Sequence, residues 1–331
     1  MLYLDLQLPL IPPAEWESIA EGVRTIHRSV TPSRPPPDLI YHYTDSAGLK
    51  GIVESGLIRA TYVSFMNDAR EYLHAARLLH ANVRRVAPSV VDPAGQRLLA
   101  LLDTCLTGTT AANLEPYFIA CFSTAEDSLN QWRAYGRGEG GFAIGFDGKE
   151  LATSAIGLPA LVAPVIYDRE AQEALVRQLL QWALTEYRAV SQNYPPSQQQ
   201  QHLEQWQRAL FLVAGQLASL VKDPAFAEER EWRIIYRATR PNEISFLAKQ
   251  TMLSGFVELG LGAAQSHPNA LPAEDPGRKR ALPDRLPIRV LWTGPGRLKD
   301  LSQIAGKALL ENNGYDGVRL ETSPIEFRIV T

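Results

Sequence analysis

The apolar positions of the chain change period several times, and each change predicts an element. Leu39-Ile40-Tyr41 is a continuous apolar run that reads as a strand ending at His42. After it, Leu49, Ile52 and Val53 recur at helical spacing between Ser46, read as the cap, and a closing Gly56. Tyr72, Ala76, Leu79 and Val83 predict a longer amphipathic helix, capped by Asn67 or Asp68 and stopped before Pro88, and a second helix spans Ala94 to Leu106. Tyr117 to Phe122 reads as a buried strand, Ser128 to Tyr135 as a short helix and Phe142 to Phe146 as the next strand. Leu175, Leu179 and Trp182, then Leu203, Trp206, Leu210, Val213, Leu217 and Val221, give a helical hairpin broken at Pro195-Pro196. Strands return at Trp232–Tyr236, Met252–Leu259, Ile288–Trp292, Gly317–Leu320 and Ile325–Val330, with a helix from Arg297 to Asn312 ahead of Gly314.

Strands that arrive irregularly among helices of unequal length argue against a barrel or a doubly wound sheet. They predict an α+β fold with a central mixed sheet and helices outside it. Residues 1–38, with a helix from about Glu15 to Val30 and the run Pro35-Pro36-Pro37, read as an extension. Residues 39–331 read as one domain with a helical insertion at about 169–222 and a proline-rich basic loop at about 265–287.

Composition narrows the classes. The chain has 331 residues, 45% of them apolar, with a net charge of -3, so it carries a sizeable core and no overall attraction for nucleic acid or anionic membranes. The basic run Arg278-Lys279-Arg280 reads as a solvated loop. Two cysteines, Cys105 and Cys121, and no signal-type leader predict a cytoplasmic setting. No apolar stretch has the length of a membrane span. The six histidines show no i, i+4 pair and there is no Cys-x-x-Cys, so no metal is expected.

Candidate chemistry lies at element ends. His42 faces either a ligand or a backbone carbonyl at the core edge. Glu229 and Glu231 stand at the mouth of the strand running to Tyr236, where alternation puts them on one face and Arg230 or Arg233 supplies a cation. Ser123 ends a strand, and Trp132 and Tyr135 share a helix face, Tyr135 being placed to stack on a planar ligand. Gly136 to Gly141 nominally fits G-x-G-x-x-G but lies between a helix and a strand, so it reads as a turn of close backbone approach and not as a dinucleotide fingerprint. The common NTPase, serine hydrolase and zinc protease motifs are absent from the sequence.

Taken in order, Tyr41-His42-Tyr43-Thr44, Ser64-Phe65-Met66-Asn67-Asp68 to Glu71, Cys121-Phe122-Ser123 with Trp132 and Tyr135-Gly136, Gly141-Phe142 to Phe146-Asp147, Glu229-Arg230-Glu231-Trp232-Arg233 and the ending Ser323 to Arg328 resemble the bacterial domain-of-unknown-function family 2971. More distantly the layout is similar to NAD-using ADP-ribosyltransferases. That resemblance implies an NAD site in which His42 holds the adenosine-side ribose and Tyr43 or Thr44 offers backbone groups to the nicotinamide amide. Ser123 or Tyr135 lines the nicotinamide, with Asn67 a further contact. Glu231, or else Glu229, bonds the nicotinamide ribose and stabilises an oxocarbenium-like transition state. The insertion at 169–221 has no counterpart in the minimal transferase fold, and Ser123-Thr124-Ala125 lacks a third hydroxyl.

The expectation is a cytoplasmic enzyme that transfers ADP-ribose from NAD to a protein or nucleic-acid acceptor, as a toxin or phage-defence effector. Two alternatives stand beside it. One is a hydrolase or nuclease using Asp68, Glu71, Glu229 and Glu231 with a divalent ion. The other is a non-catalytic nucleotide-sensing or protein-interaction module that uses the helical hairpin as its partner surface.

Overall fold

The computed structural model describes residues 10–30, 35–65, 70–107, 117–136, 140–156, 158–238, 240–248, 252–261 and 285–326. They fall into two compact units, each assembled from three stretches of chain: 1–34, 62–117 and 165–226, and 35–61, 118–164 and 227–331.

The first unit is helical. It holds α1 (Pro13–Val30), α3 (Arg70–Val86), α4 (Pro93–Thr107), α7 (Arg169–Ser191) and α8 (Pro196–Ala218). The expected hairpin is α7 and α8, and Asp168 caps α7 by accepting from the Ala171 amide at 2.8 Å. Helix α1 packs on both arms of the hairpin. It buries Ile19, Val23 and Ile26, and Gly22 sits so close to the Trp182 indole that a Cβ there would clash. The helix read from sequence as part of an extension therefore lies in the core of this unit.

The second unit is built on a mixed sheet. Its strands are β1 (Leu39–Thr44), β2 (Ile58–Tyr62), β3 (Tyr117–Ser123), β4 (Phe142–Asp147), β5 (Ala160–Pro164), β6 (Glu231–Arg237), β7 (Ser245–Ala248), β8 (Leu253–Leu259), β9 (Ile288–Thr293) and β10 (Arg319–Thr322). They run in the order β10-β9-β4-β1-β3-β2-β8-β7, and β6, which carries β5, also joins β3, so the sheet forks there. The β9–β10 pair is parallel, whereas β1 with β3 and β4, β2 with β8, β4 with β9, β5 with β6 and β7 with β8 are antiparallel. The fold is α+β with a large mixed sheet. Helices α2 (Ser46–Ser55), α5 (Leu129–Tyr135), α6 (Gly148–Ser154) and α9 (Lys299–Asn312) accompany it.

Some local readings change. Asp45, not Ser46, caps α2, accepting from the Gly48 amide at 2.8 Å. The last described strand is Arg319–Thr322. Residues 323–326 are not strand, and 327–331, with the rest of the run expected to reach Val330, lie outside the described residues. Asn67, Asp68, Gly138 and the basic run at 278–280 also lie outside them.

Candidate functional site

The sheet unit contains a cleft of about 310 Å³ at the junction of β1, β3, α5 and the entrance to β6. Its size is that of a small ligand site. Four separate segments line it: residues 41–45, 121–123, 131–135 in part, and 229 with 231. Of the sequence candidates, His42, Tyr43, Thr44, Ser123, Tyr135, Glu229 and Glu231 all reach this one cleft.

His42 is brought there by the antiparallel register that sets Tyr41 opposite Ser123. Its Nδ1 lies 2.9 Å from the Cys121 carbonyl. A carbonyl only accepts, so Nδ1 carries the proton and a neutral ring leaves Nε2 as a bare acceptor. Burial lowers its pKa and outweighs the opposing hydrogen bond to Cys121, which keeps the imidazole neutral at physiological pH. One nitrogen of His42 is thus tied to a carbonyl, the core-edge role read from the sequence, while the residue also lines the cleft.

Tyr43 is 5% exposed. Its hydroxyl donates to the Ala125 carbonyl at 2.7 Å and accepts from the Ser128 amide at 3.1 Å. Its ring meets Trp132 edge-on at 4.7 Å, and the Trp132 indole donates to Asp127 at 2.6 Å. Trp132 is therefore core, joined to Tyr41, Tyr43, Ala143 and Val290. The helix pair that faces the cleft is Gln131 with Tyr135, four apart, rather than Trp132 with Tyr135. Gln131 is 7% exposed and Tyr135 41%, so the first is wall and the second lip.

The glycine turn serves close approach. At Gly141, with φ +114°, a Cβ would come 2.7 Å from the Gly136 Cα and 3.0 Å from the Thr44 carbonyl, where β1 leaves the sheet for the cleft.

The two glutamates do not share a strand. Glu229 closes a 3₁₀ turn, Pro224–Glu229, and β6 starts at Glu231. Between them Arg230 adopts φ +47°, a left-handed conformation costly for a residue with a side chain. The turn is clamped: Ser123 Oγ donates to the Glu229 carbonyl at 2.6 Å, and the Thr124 amide donates to the Arg230 carbonyl at 3.1 Å. Ser123 Oγ also accepts from the Ala125 amide at 3.0 Å, so much of its hydrogen bonding is committed inside the protein. Glu231 is 6% and Arg233 1% exposed. They form a two-point ion pair, Arg233 Nε to Glu231 Oε1 at 3.0 Å and Nη2 to Oε2 at 2.8 Å. Of the two arginines open as partners, Arg233 is the one the structure pairs with Glu231.

Residues 131–234 match the family model described as Protein of unknown function (DUF2971). No curated protein and no solved structure matches the chain. The DUF2971 match starts at the cleft-facing Gln131 and ends one residue past Arg233, so it takes in α5 from Gln131 onward, both glutamates and the buried pair. His42 and Ser123 lie upstream of it. Asp45 and Gln131 are cleft residues that sequence reasoning missed. The position of Asp45 just ahead of a helix, and that of Gln131 one turn before Tyr135, are the signals that point to them.

Among the described residues no group of three or more His, Cys, Asp or Glu side chains could hold a metal ion. The carboxylate cluster considered from sequence needs Asp68, which lies outside the described residues. No described helix is long and apolar enough to cross a membrane.

Proposed function

We propose that the cleft binds NAD and supports cleavage of its nicotinamide–ribose bond, with transfer of ADP-ribose to a macromolecular acceptor. The observation that carries this reading is the meeting, in one cleft, of a neutral histidine acceptor from β1 and carboxylates from the turn before β6 and from its first residue, brought together from distant parts of the sequence. A hydroxyl-rich sugar needs acceptors such as His42 Nε2. Departure of neutral nicotinamide with the bonding electron pair leaves positive charge on the ribose, and a carboxylate held in a desolvated cleft stabilises it. The acceptor's nucleophile then bonds to that carbon and loses its proton. Tyr135 at the lip and Tyr43 in the wall supply aromatic surface for the planar base. The resemblance to ADP-ribosyltransferases read from the motif order supports the same assignment, and a role as a toxin or phage-defence effector follows from it if the acceptor is an essential macromolecule.

The test is incubation of the full chain with NAD, with and without cell lysate, following free nicotinamide and labelled ADP-ribose on protein and nucleic acid. Nicotinamide release that falls at least tenfold in a folded His42→Ala variant is expected. Absence of release and of labelling with every lysate overturns the reading.

A further inference from the structure

We infer that Glu229 is the carboxylate that meets the ligand, and that Glu231, locked to Arg233, is a positioning residue for the turn carrying it. The inference rests on the proposed NAD reading for the identity of the ligand, but its geometry is that of the cleft alone.

Three observations separate two glutamates that the sequence treats alike. Glu231 is nearly inaccessible, and each of its carboxylate oxygens accepts from a guanidinium that is itself 1% exposed. With both oxygens engaged inside the protein, little of the Glu231 carboxylate is left for a ligand to reach. Glu229 is only half-buried and lines the same cleft from the turn before the strand. Finally, the backbone at Glu229 is held from both sides: its carbonyl by Ser123, the next carbonyl by Thr124, and the Arg230 amide by the Ala227 carbonyl at 3.2 Å. Together with the left-handed Arg230, those bonds hold the backbone from which Glu229 projects. Strain kept at such a place fits a side chain that has to be aimed. The ion pair secures the first residues of β6, where Arg233 lies opposite Ala163 of β5, and so anchors the far end of the strained turn.

The experiment compares Glu229→Gln, Glu231→Gln and the double variant Glu231→Gln with Arg233→Gln, which removes both charges of the pair together. Each is measured for nicotinamide release from NAD, for binding of 1-methylnicotinamide as a pyridinium probe, and for its unfolding midpoint. The expected result is a loss of about 100-fold in release for Glu229→Gln with an unmoved midpoint. Glu231→Gln loses release and midpoint together, and the double variant recovers both, with release at least tenfold above that of Glu231→Gln. An active Glu229→Gln beside a folded but inactive double variant would show that Glu231 itself meets the ligand and overturn the inference while leaving the NAD reading intact. Should the wild type release no nicotinamide, the NAD reading fails and the probe decides. Binding lost in Glu229→Gln and kept in the double variant supports the inference; equal binding by Glu229→Gln and wild type, or none by wild type, overturns it.

Discussion

Each unit of the molecule buries a glutamate against a nitrogen base, and the surroundings of the two pairs differ. In the helical unit Glu15 of α1 accepts from His202 Nε2 of α8 at 2.7 Å, with Glu15 8% and His202 0% exposed. Tyr194 stacks on His202 at 3.7 Å and Tyr187 lies parallel on it at 5.9 Å. The Tyr194 hydroxyl reaches both the Leu10 carbonyl, at 2.7 Å, and Glu15, at 3.1 Å. In the sheet unit Glu231 and Arg233 are buried as deeply, yet Glu231 lines an open cleft beside a strained turn and a half-buried second carboxylate. The first pair joins helices and is enclosed by aromatic rings. Burial of a charge therefore does not mark a site by itself; volume beside it and backbone that is held against its preference do.

The strongest way to break this comparison is to remove one partner from each pair. Arg233→Ala leaves Glu231 buried without its guanidinium, and the expected loss is about 3–5 kcal/mol, read as a lower denaturant midpoint. Glu15→Ala leaves the His202 Nε2 donor without its acceptor, for which the expected loss is about 1–3 kcal/mol. Nicotinamide release by the folded fraction should be unchanged in Glu15→Ala and strongly reduced in Arg233→Ala. Equal losses of release in both variants would erase the distinction between a joining pair and a site pair.

The same contrast shows what the sequence could carry. Periods of two and of three to four located most of the described strands and helices, because those periods are imposed by the faces that the elements bury. The motifs around His42, Ser123, Tyr135 and Glu229–Glu231 named residues that meet in one cleft. Their roles were less legible, because they depend on partners distant in the chain. Nothing local to Ser123 says that its hydroxyl holds the Glu229 carbonyl 106 positions away. Strict alternation put Glu229 and Glu231 on one strand face, and the left-handed Arg230 is the reason that it fails. The pair of Glu15 with His202 joins the first helix to the last helix of its unit, a separation of 187 positions that no local pattern encodes.

Acid should probe the cleft through His42. Its folded pKa lies below the ordinary value of 6.5, with burial the larger cause, so the unfolded chain takes up the proton first. The stability tied to the neutral ring is therefore fully present above pH 6.5 and declines as pH falls from there towards the lowered folded value. His27 of α1 is lowered by burial in the same sense, so the measurement is a difference. Unfolding midpoints of wild type and His42→Gln, followed from pH 7.5 to 4.5, should converge as pH falls. Curves that stay parallel would place His42 in an environment that tolerates charge. At the alkaline end burial pushes Tyr41 up to about 12, so its share of stability is lost as pH rises from about 10 towards that value.

The smallest effect sharpens the comparison most, because it separates a cleft residue from the framework that supports it. Tyr135 is 41% exposed at the lip of the cleft, whereas its helix neighbour Trp132 is 3% exposed, holds Asp127 and packs on Tyr43. Tyr135→Ala removes aromatic surface from the ligand side and little from the core. The expected change in stability is within about 0.5 kcal/mol, while affinity for a planar cationic base should weaken by about 0.5–1.5 kcal/mol. Titration of 1-methylnicotinamide into both proteins, beside their unfolding curves, measures the two terms separately. An affinity left unchanged would move the base-binding surface away from the lip and onto the wall formed by Tyr43 and Gln131.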